Sequence, residues 1–353
     1  MPIIDADARV IESEHTWDYI DEADQKYRPL TKPRGEGGGQ YWYVDGKIRS
    51  LVRAVQQVAD PAERAGGEIA TAKKTCGSED VAARLKHMDE VGIDVQVLSP
   101  TLFSEQIADT PEWEIPICQG YNRWLAEIYA QGQGRLRWVC VLPLLDMSAA
   151  LEELKFCAQH GACGVFMRGI EGQRIITEPY FYLLYEEMSR LNLAVSIHVG
   201  NANPCFSELV AQYTSGTSFW KFRIPVAGAF HSIVMSNVPR LFPKLRFHWT
   251  DAAALWIPYV VKDFQRRADA INQPLPTNPL KEYRQFVSCQ TDDNVDDLIK
   301  YSGEENLVIG TDYGYNDQPT VIEALRNLKS LGSITPRQYE KITYDNPKEL
   351  FAL

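Results

Sequence analysis

Eight short apolar runs, separated by stretches of helical periodicity, predict an α/β chain whose parallel strands close into a (β/α)8 TIM barrel. The runs are PIIDADARVIE at 2–12, DVQVLSP at 94–100, LRWVCVLPL at 136–144, CGVFMRG at 163–169, AVSIHVG at 194–200, LRFHWTD at 245–251, QFVSCQTD at 285–292 and LVIGTDY at 307–313. Continuous apolar character suits strands covered on both faces, as in a parallel sheet. A doubly wound open sheet is the competing architecture, but no G-x-G-x-x-G follows any run. The 353 residues fit one barrel domain spanning 1–353.

The helices follow from capping and period. Ser78 reads as an N-cap with Glu79 and Asp80 in the first turn, where negative charge suits the helix dipole. Val81, Leu85 and Met88 then share one face, and Gly92 ends the helix. After Pro179, residues Phe181, Leu184, Tyr185, Met188 and Leu191 recur at three- and four-residue steps. Segments 146–160, 220–242, 254–270 and 318–331 also read as helices. Two insertions interrupt the rhythm. Residues 28–77, after the first strand, hold a cluster of Gly35, Gly37, Gly38 and Gly39 and a hairpin, QYWYVDGKI, turning at Asp45-Gly46. Residues 201–220, after the fifth strand, carry Tyr213, Phe219 and Trp220. Loops at such places either cover a site, with Trp220 a substrate contact, or meet another subunit.

Composition narrows the function classes. Hydrophobic residues at 45% and charged residues at 24% exclude a disordered chain. A net charge of -11 without a basic block argues against nucleic acid or an anionic membrane as partner. The seven cysteines form no CxxC pair, which suits reduced thiols in a cytoplasm better than disulfides or a zinc knot. The opening MPIIDADARV has neither a basic nor an apolar leader, and no run approaches a membrane span, so a soluble cytoplasmic protein is expected.

Charge at the end of a buried strand needs a reason, and in a barrel the C-terminal strand ends converge on the active site. Asp5, Asp7 and Arg9 alternate with Ala6 and Ala8 and so share a face of the first strand. Arg168 follows the fourth strand, His198 ends the fifth, and Asp251, Asp292 and Asp312 end the sixth, seventh and eighth. His248 falls out of phase with Asp251 and reads as a packed histidine, as does His231, while His87 and His160 read as exposed helix positions. Asp292 and Asp293 read as helix caps. Trp17, Trp256 and Tyr259 read as packing residues, and Cys289 has no histidine partner that would make it a nucleophile.

The order and content of these segments resemble the amidohydrolase superfamily, in the branch that includes aminocarboxymuconate-semialdehyde decarboxylase, γ-resorcylate decarboxylase and related hydrolases. The resemblance runs over essentially the whole chain, through IDADARVIE, RLKHMDEVGIDVQVLSPT, SIHVG, LFPKLRFHWTDAAALWIPY, LVIGTDYGYND and the closing YEKITYDNPKELFAL. It implies a TIM barrel, a divalent metal such as zinc, a small-molecule substrate and a homodimer or homotetramer. It places metal ligands at Asp7, His198 and Asp312, the sixth-strand catalytic acid at Asp251, and proton transfer at Asp312. The second first-strand ligand, usually histidine, falls on Arg9, and a guanidinium cannot coordinate a cation. The family's frequent Asp-Tyr-Pro-His is here Asp312-Tyr313-Gly314-Tyr315.

Two outcomes for the metal stand open. Three protein ligands are enough for a catalytic zinc, but Arg9 would repel it: unit charges about 5 Å apart at an effective dielectric near 20 cost roughly 3 kcal/mol. In the other outcome Arg9 replaces the metal's charge, pairs with Asp7 or Asp312, or grips a substrate carboxylate. Glu12 and His15 are the spare ligands nearby, although His15 reads more readily as the start of a surface helix. Arg168 reads equally as a substrate-anion contact or a structural ion pair, and Asp5 as a support for Arg9 or its loop. The leading functional expectation is a non-oxidative decarboxylase of an aromatic or unsaturated acid, with His198 and Arg9 in the catalytic group and Asp312 and Asp251 moving the proton. The alternatives are a metal-dependent hydrolase of an amide, lactone or ester, and a ligand-binding relative without catalysis.

Overall fold

Each apolar run contains a strand: β1 (Ile4–Arg9), β2 (Val95–Ser99), β3 (Leu136–Cys140), β4 (Ala162–Arg168), β5 (Ala194–His198), β6 (Phe247–Trp249), β7 (Gln285–Cys289) and β8 (Leu307–Ile309). They pair in that order, every pair parallel. The two edges meet just past β8, where Ala8 bridges Tyr313. Arg9 N–H donates to the Tyr313 carbonyl at 2.8 Å, and Asp312 N–H to the Asp7 carbonyl at 2.9 Å. This seam closes the barrel and brings residues 7–9 beside 312–313. The computed structural model describes residues 2–33, 35, 39–52, 80–213, 219–272, 274–290, 293–313 and 334–353.

Helices α1 (Val81–Val91), α2 (Pro111–Gln131), α3 (Met147–Gln159), α4 (Tyr182–Leu191), α5 (Pro204–Tyr213), α6 (Ile224–Met235), α7 (Ile257–Ala270) and α8 (Val295–Ser302) separate the strands. Asp80, rather than Ser78, caps α1 by accepting from Ala83 N–H, and Gly92 ends it with φ of 78°. Ser78, Glu79, Cys76 and the expected helix 318–331 lie outside the described residues. The 21-residue α2 was not expected. Its Pro111 start and acidic first turn are ordinary signals, but Pro116 inside it reads as a breaker. The expected 220–242 helix is divided into a turn of π-helix at Phe219–Arg223, α6, and a short helix at Val238–Leu241 that begins beside Pro239.

In the first insertion the hairpin turns at Asp45-Gly46, both with positive φ, and Leu30–Pro33 adds a third antiparallel strand. Its Trp42 packs edge-on against the fully buried Trp17. The main core lies between the strands and their helices and includes Trp138, Trp249, Phe230, Phe264 and Tyr185. The described cysteines are free, all buried except Cys205. Among the described residues no helix is long and apolar enough to cross a membrane.

Candidate active site

The C-terminal end of β1 delivers Asp7 and Arg9 into the barrel, the end of β5 delivers His198, and the turns after β6 and β8 deliver Asp251 and Asp312. Both turn residues have left-handed backbones, φ of 61° at Asp251 and 53° at Asp312. That conformation costs about 1 kcal/mol or more and persists where surrounding bonds fix it. For Asp312 those bonds come from β1: its N–H goes to the Asp7 carbonyl and its carboxylate to Arg9. Gly310 makes the approach possible, since a Cβ there would lie 2.7 Å from the Asp7 Cβ.

Arg9 is the centre of the site. Its Nε donates to Asp312 Oδ1 at 2.7 Å, one terminal nitrogen to Asp251 Oδ2 at 2.6 Å, and the other to the Pro100 carbonyl at 2.8 Å. The side chain is 5% exposed, and those of Asp251 and Asp312 are 10% and 14%. Burial alone would weaken its charge, but the surrounding Asp312, Asp251 and Asp7 carboxylates hold it as a permanent cation. It therefore pairs with Asp312, one of the partners expected, and with Asp251, which was not; its hydrogen bonds do not include Asp7.

His198 lies parallel to the Phe166 ring at 5.4 Å. Its Nδ1 bonds the Val199 carbonyl at 3.1 Å, which fixes Nδ1 as the protonated nitrogen. Its Nε2 lies 3.5 Å from Asp7 Oδ2 and 3.7 Å from Asp251 Oδ2 and has no hydrogen-bond partner. Burial and the Arg9 charge push this imidazole below its ordinary value. Burial would raise Asp7, but the adjacent His198 ring and the Arg9 guanidinium outweigh it and hold the carboxyl below the usual range. Asp7 Oδ2 accepts from the Thr250 hydroxyl at 2.8 Å, and its Oδ1 is buried without a partner.

Several residues support the cluster; Asp5 was expected in such a role, and the others were not. Asp5 accepts both the Thr311 N–H and hydroxyl, tying β1 to the turn that carries Asp312; burial raises its pKa to about 6. Glu12 accepts Thr101 and Leu102 N–H, each at 3.0 Å, and so fixes the loop whose Pro100 carbonyl meets Arg9; burial raises it to about 7. Tyr313 bonds His87, which is buried rather than exposed, and stacks near Arg84, whose guanidinium also donates to the Arg9 carbonyl. Lone hydroxyl residues inside apolar strands, Ser196, Thr250 and Ser288, were the available signal for this inner network.

Other expected residues sit elsewhere. The Arg168 guanidinium is bidentate to Glu171 and also donates to the Phe103 and Glu105 carbonyls, so it is a structural ion pair locking loops together. It borders a cavity of about 240 Å³ with Glu114, Leu144 and Tyr180. Trp220 is 52% exposed, beside Lys221, which joins Glu105 at 2.6 Å. His15 is exposed and pairs with Asp18, and the oxygens of Glu12 face the backbone. Asp293 ties Ala254 and Gln290 N–H rather than capping α8, whose N-cap is Asn294; Asp292 lies outside the described residues. His248 is buried between Ser196 and Ser288, and His231 pairs with Asp263. Tyr259 is 76% exposed rather than packed. Burial pushes the Cys289 thiol up, which disfavours a nucleophilic thiolate.

The family metal does not fit this arrangement. A catalytic zinc takes three protein ligands. Here Asp312 turns its Oδ1 to Arg9 Nε, and a terminal nitrogen of the guanidinium holds Asp251. Only the Asp7 Oδ1 and His198 Nε2 atoms are left buried and without partners in this cluster. Among the described residues no group of three or more His, Cys, Asp or Glu side chains has the geometry to hold a metal.

Comparison with known proteins agrees with the geometry of the barrel. A 2-keto-4-carboxy-3-hexenedioate hydratase from Sphingobium sp. (strain NBRC 103272 / SYK-6) is 26% identical over 220 residues, 59% of this chain and 61% of the hydratase. A gamma-resorcylate decarboxylase from Rhodococcus jostii (strain RHA1) is 32% identical over 128 residues, 33% of this chain and 39% of the decarboxylase. The solved structure of an amidohydrolase from Mycobacterium avium subsp. paratuberculosis K-10 superposes with a TM-score of 0.80 at 15% identity, covering 99% of both chains, and so shares the fold. The amidohydrolase family profile matches residues 73–353. That match takes in β2 to β8 with His198, Asp251 and Asp312, and the chain belongs to the amidohydrolase family.

Proposed function

We propose that this chain is a lyase that decarboxylates a small aromatic or unsaturated carboxylic acid without an oxidant, and that Arg9 supplies the positive charge that a metal supplies in its relatives. The observation that carries the reading is the Arg9 guanidinium, buried and bonded to both Asp251 and Asp312. Three carboxyl groups, those of Asp7, Asp251 and Asp312, gather around one fixed cation. Carboxyl groups crowded beyond their counter-charge favour keeping a proton, and a carbon that loses CO₂ needs one.

In the proposed reaction the bond between carbon and the substrate carboxylate breaks and CO₂ leaves. The electron pair stays on carbon and takes a proton from Asp312, with Asp251 as the second carrier. The carboxylate left behind regains a proton from water. Arg9 draws the substrate anion to the cluster and fixes both acids. The bare Nε2 of neutral His198 accepts a hydrogen bond from a substrate hydroxyl. Trp220 is proposed to cover the substrate from the rim, and a homodimer or homotetramer is the proposed assembly. The relatives support this reading: one is a decarboxylase and the other a hydratase of a carboxylated acid.

The test is incubation of the purified protein, with chelator present, with 2,6-dihydroxybenzoate and a panel of aromatic and unsaturated acids. Release of CO₂ with proton incorporation at the vacated carbon is expected. Water addition without CO₂ loss would replace the reading with a hydratase, and cleavage of amides, lactones or esters only on adding metal would replace it with a hydrolase.

A further inference from the structure

Below the acid cluster, a file of buried side chains runs down the inside of the barrel through three neighbouring strands. Thr250, just past β6, donates its hydroxyl to Asp7 Oδ2 at 2.8 Å and lies 3.1 Å from Ser288 Oγ on β7. Ser288 Oγ lies 2.7 Å from His248 Nε2 on β6. His248 Nδ1 lies 3.1 Å from Ser196 Oγ on β5. Register puts them together: His248 pairs with Ser196 on one side and Phe286 on the other, two residues from Ser288. All five residues are at most 3% exposed, and Phe351 closes the lower end against the imidazole.

The direction of each hydrogen can be worked out. Thr250 has a single hydroxyl hydrogen, and it points to Asp7 Oδ2 at 2.8 Å. The Thr250–Ser288 contact then has a hydrogen only if Ser288 donates it. Ser288 Oγ, having given its hydrogen away, must accept from His248, so Nε2 is protonated. Burial pushes His248 down to about 4, so the ring is neutral and its Nδ1 is bare. Ser196 therefore donates to Nδ1. Any other assignment sets two lone pairs face to face in a site without competing solvent, which leaves a buried hydrogen bond unmade.

We infer that Ser196, His248, Ser288 and Thr250 form a one-way hydrogen-bond chain, with His248 locked as its Nε2–H tautomer, that positions the Asp7 carboxylate. The four are positioning residues, acting on the site only through Asp7. The chain holds Asp7 Oδ2, the oxygen that lies 3.5 Å from His198 Nε2, and so fixes the carboxylate against that ring. The catalytic consequence rests on the functional reading above, whereas the tautomer does not.

The test is long-range proton–nitrogen correlation of the histidine rings in 15N-labelled protein, with His248 assigned by its loss in His248→Asn. A protonated Nε2 and an unprotonated Nδ1 are expected. A protonated Nδ1, or averaged signals from two tautomers, overturns the proposal. Thr250→Val keeps the shape and removes the donor, and should shift the His248 nitrogens; Thr250→Ser should restore them. If an acid substrate is turned over, Thr250→Val should lower kcat about tenfold while KM holds. Unchanged ring signals in Thr250→Val overturn the chain even if activity falls. A wild-type Nε2–H ring in a protein that releases no CO₂ leaves the chain standing and removes only the decarboxylase reading. Should Thr250→Val fail to fold, the wild-type tautomer still decides.

Discussion

Arg9 and Asp312 are separated by almost the whole chain, yet they join across the barrel seam, Nε to Oδ1 at 2.7 Å. The same guanidinium reaches Asp251 at 2.6 Å. One side chain thus spans the first, sixth and eighth strands at the level where the chemistry belongs. Buried ion pairs add little net stability over apolar replacements, but removing one partner leaves the other charge uncompensated. Arg9→Met leaves two partly buried carboxyl groups without their cation, so unfolding in denaturant should show a loss of about 3 kcal/mol, the low end for a buried pair. A loss below about 1 kcal/mol would mean that the pairs are effectively solvated.

Asp312→Asn keeps the shape of the side chain and tolerates the left-handed backbone, but cannot carry the proton. CO₂ release should fall roughly a hundredfold or more, with an unchanged circular dichroism spectrum. Retained activity would transfer the proton step to Asp251.

Glu114, in the first turn of α2, is 5% exposed, and burial raises its pKa from 4.5 to about 7. Between those values the folded protein keeps a proton that the unfolded chain has released. Stability from this group is therefore full below pH 4.5, falls as pH rises, and is gone above about pH 7. A shift of this size corresponds to about 3 kcal/mol. Asp5 and Glu12 slope the same way. Glu114→Gln cannot titrate and keeps the carbonyl that accepts the Leu145 N–H. Denaturant unfolding across pH 4.5 to 8 should therefore show a shallower decline in the variant than in the wild type, and parallel curves would show that Glu114 titrates normally.

Arg9→His recreates an acid-x-histidine pair with Asp7 and exchanges a repelling cation for a nitrogen ligand. Zinc affinity measured by calorimetry should rise by at least tenfold, since removing a repulsion of roughly 3 kcal/mol is worth more than that. CO₂ release without added metal should fall. Equal zinc affinities would show that Arg9 does not govern metal binding.

The barrel was legible because fully buried parallel strands leave an unbroken apolar signature, and all eight runs carry it. The polar strand ends were legible for the same reason: Asp7, Arg9, His198, Asp251 and Asp312 stand out against apolar neighbours. Their pairing was not. Whether Arg9 turns to Asp7, Asp251 or Asp312 depends on the closure of the barrel seam and on two left-handed turns, which no local pattern announces. Arg168 was open between an anion contact and a structural ion pair, because a charged strand end serves either; its pairing with Glu171, three residues on, is the geometry of the second. His87 misled because α1 packs that position against Tyr313 from the far end of the chain. α2 was hidden by Pro116.

The claim that Arg9 stands in for a metal is tested most directly by the zinc content of the wild-type protein. The protein is produced in zinc-supplemented medium, dialysed against chelator-free buffer and analysed by elemental mass spectrometry. Arg9 held between Asp251 and Asp312 predicts well below one zinc per chain, and CO₂ release that a strong chelator leaves unchanged. One zinc per chain that survives dialysis, with activity lost on chelation, would contradict the account and return Asp7 and His198 to the role of metal ligands.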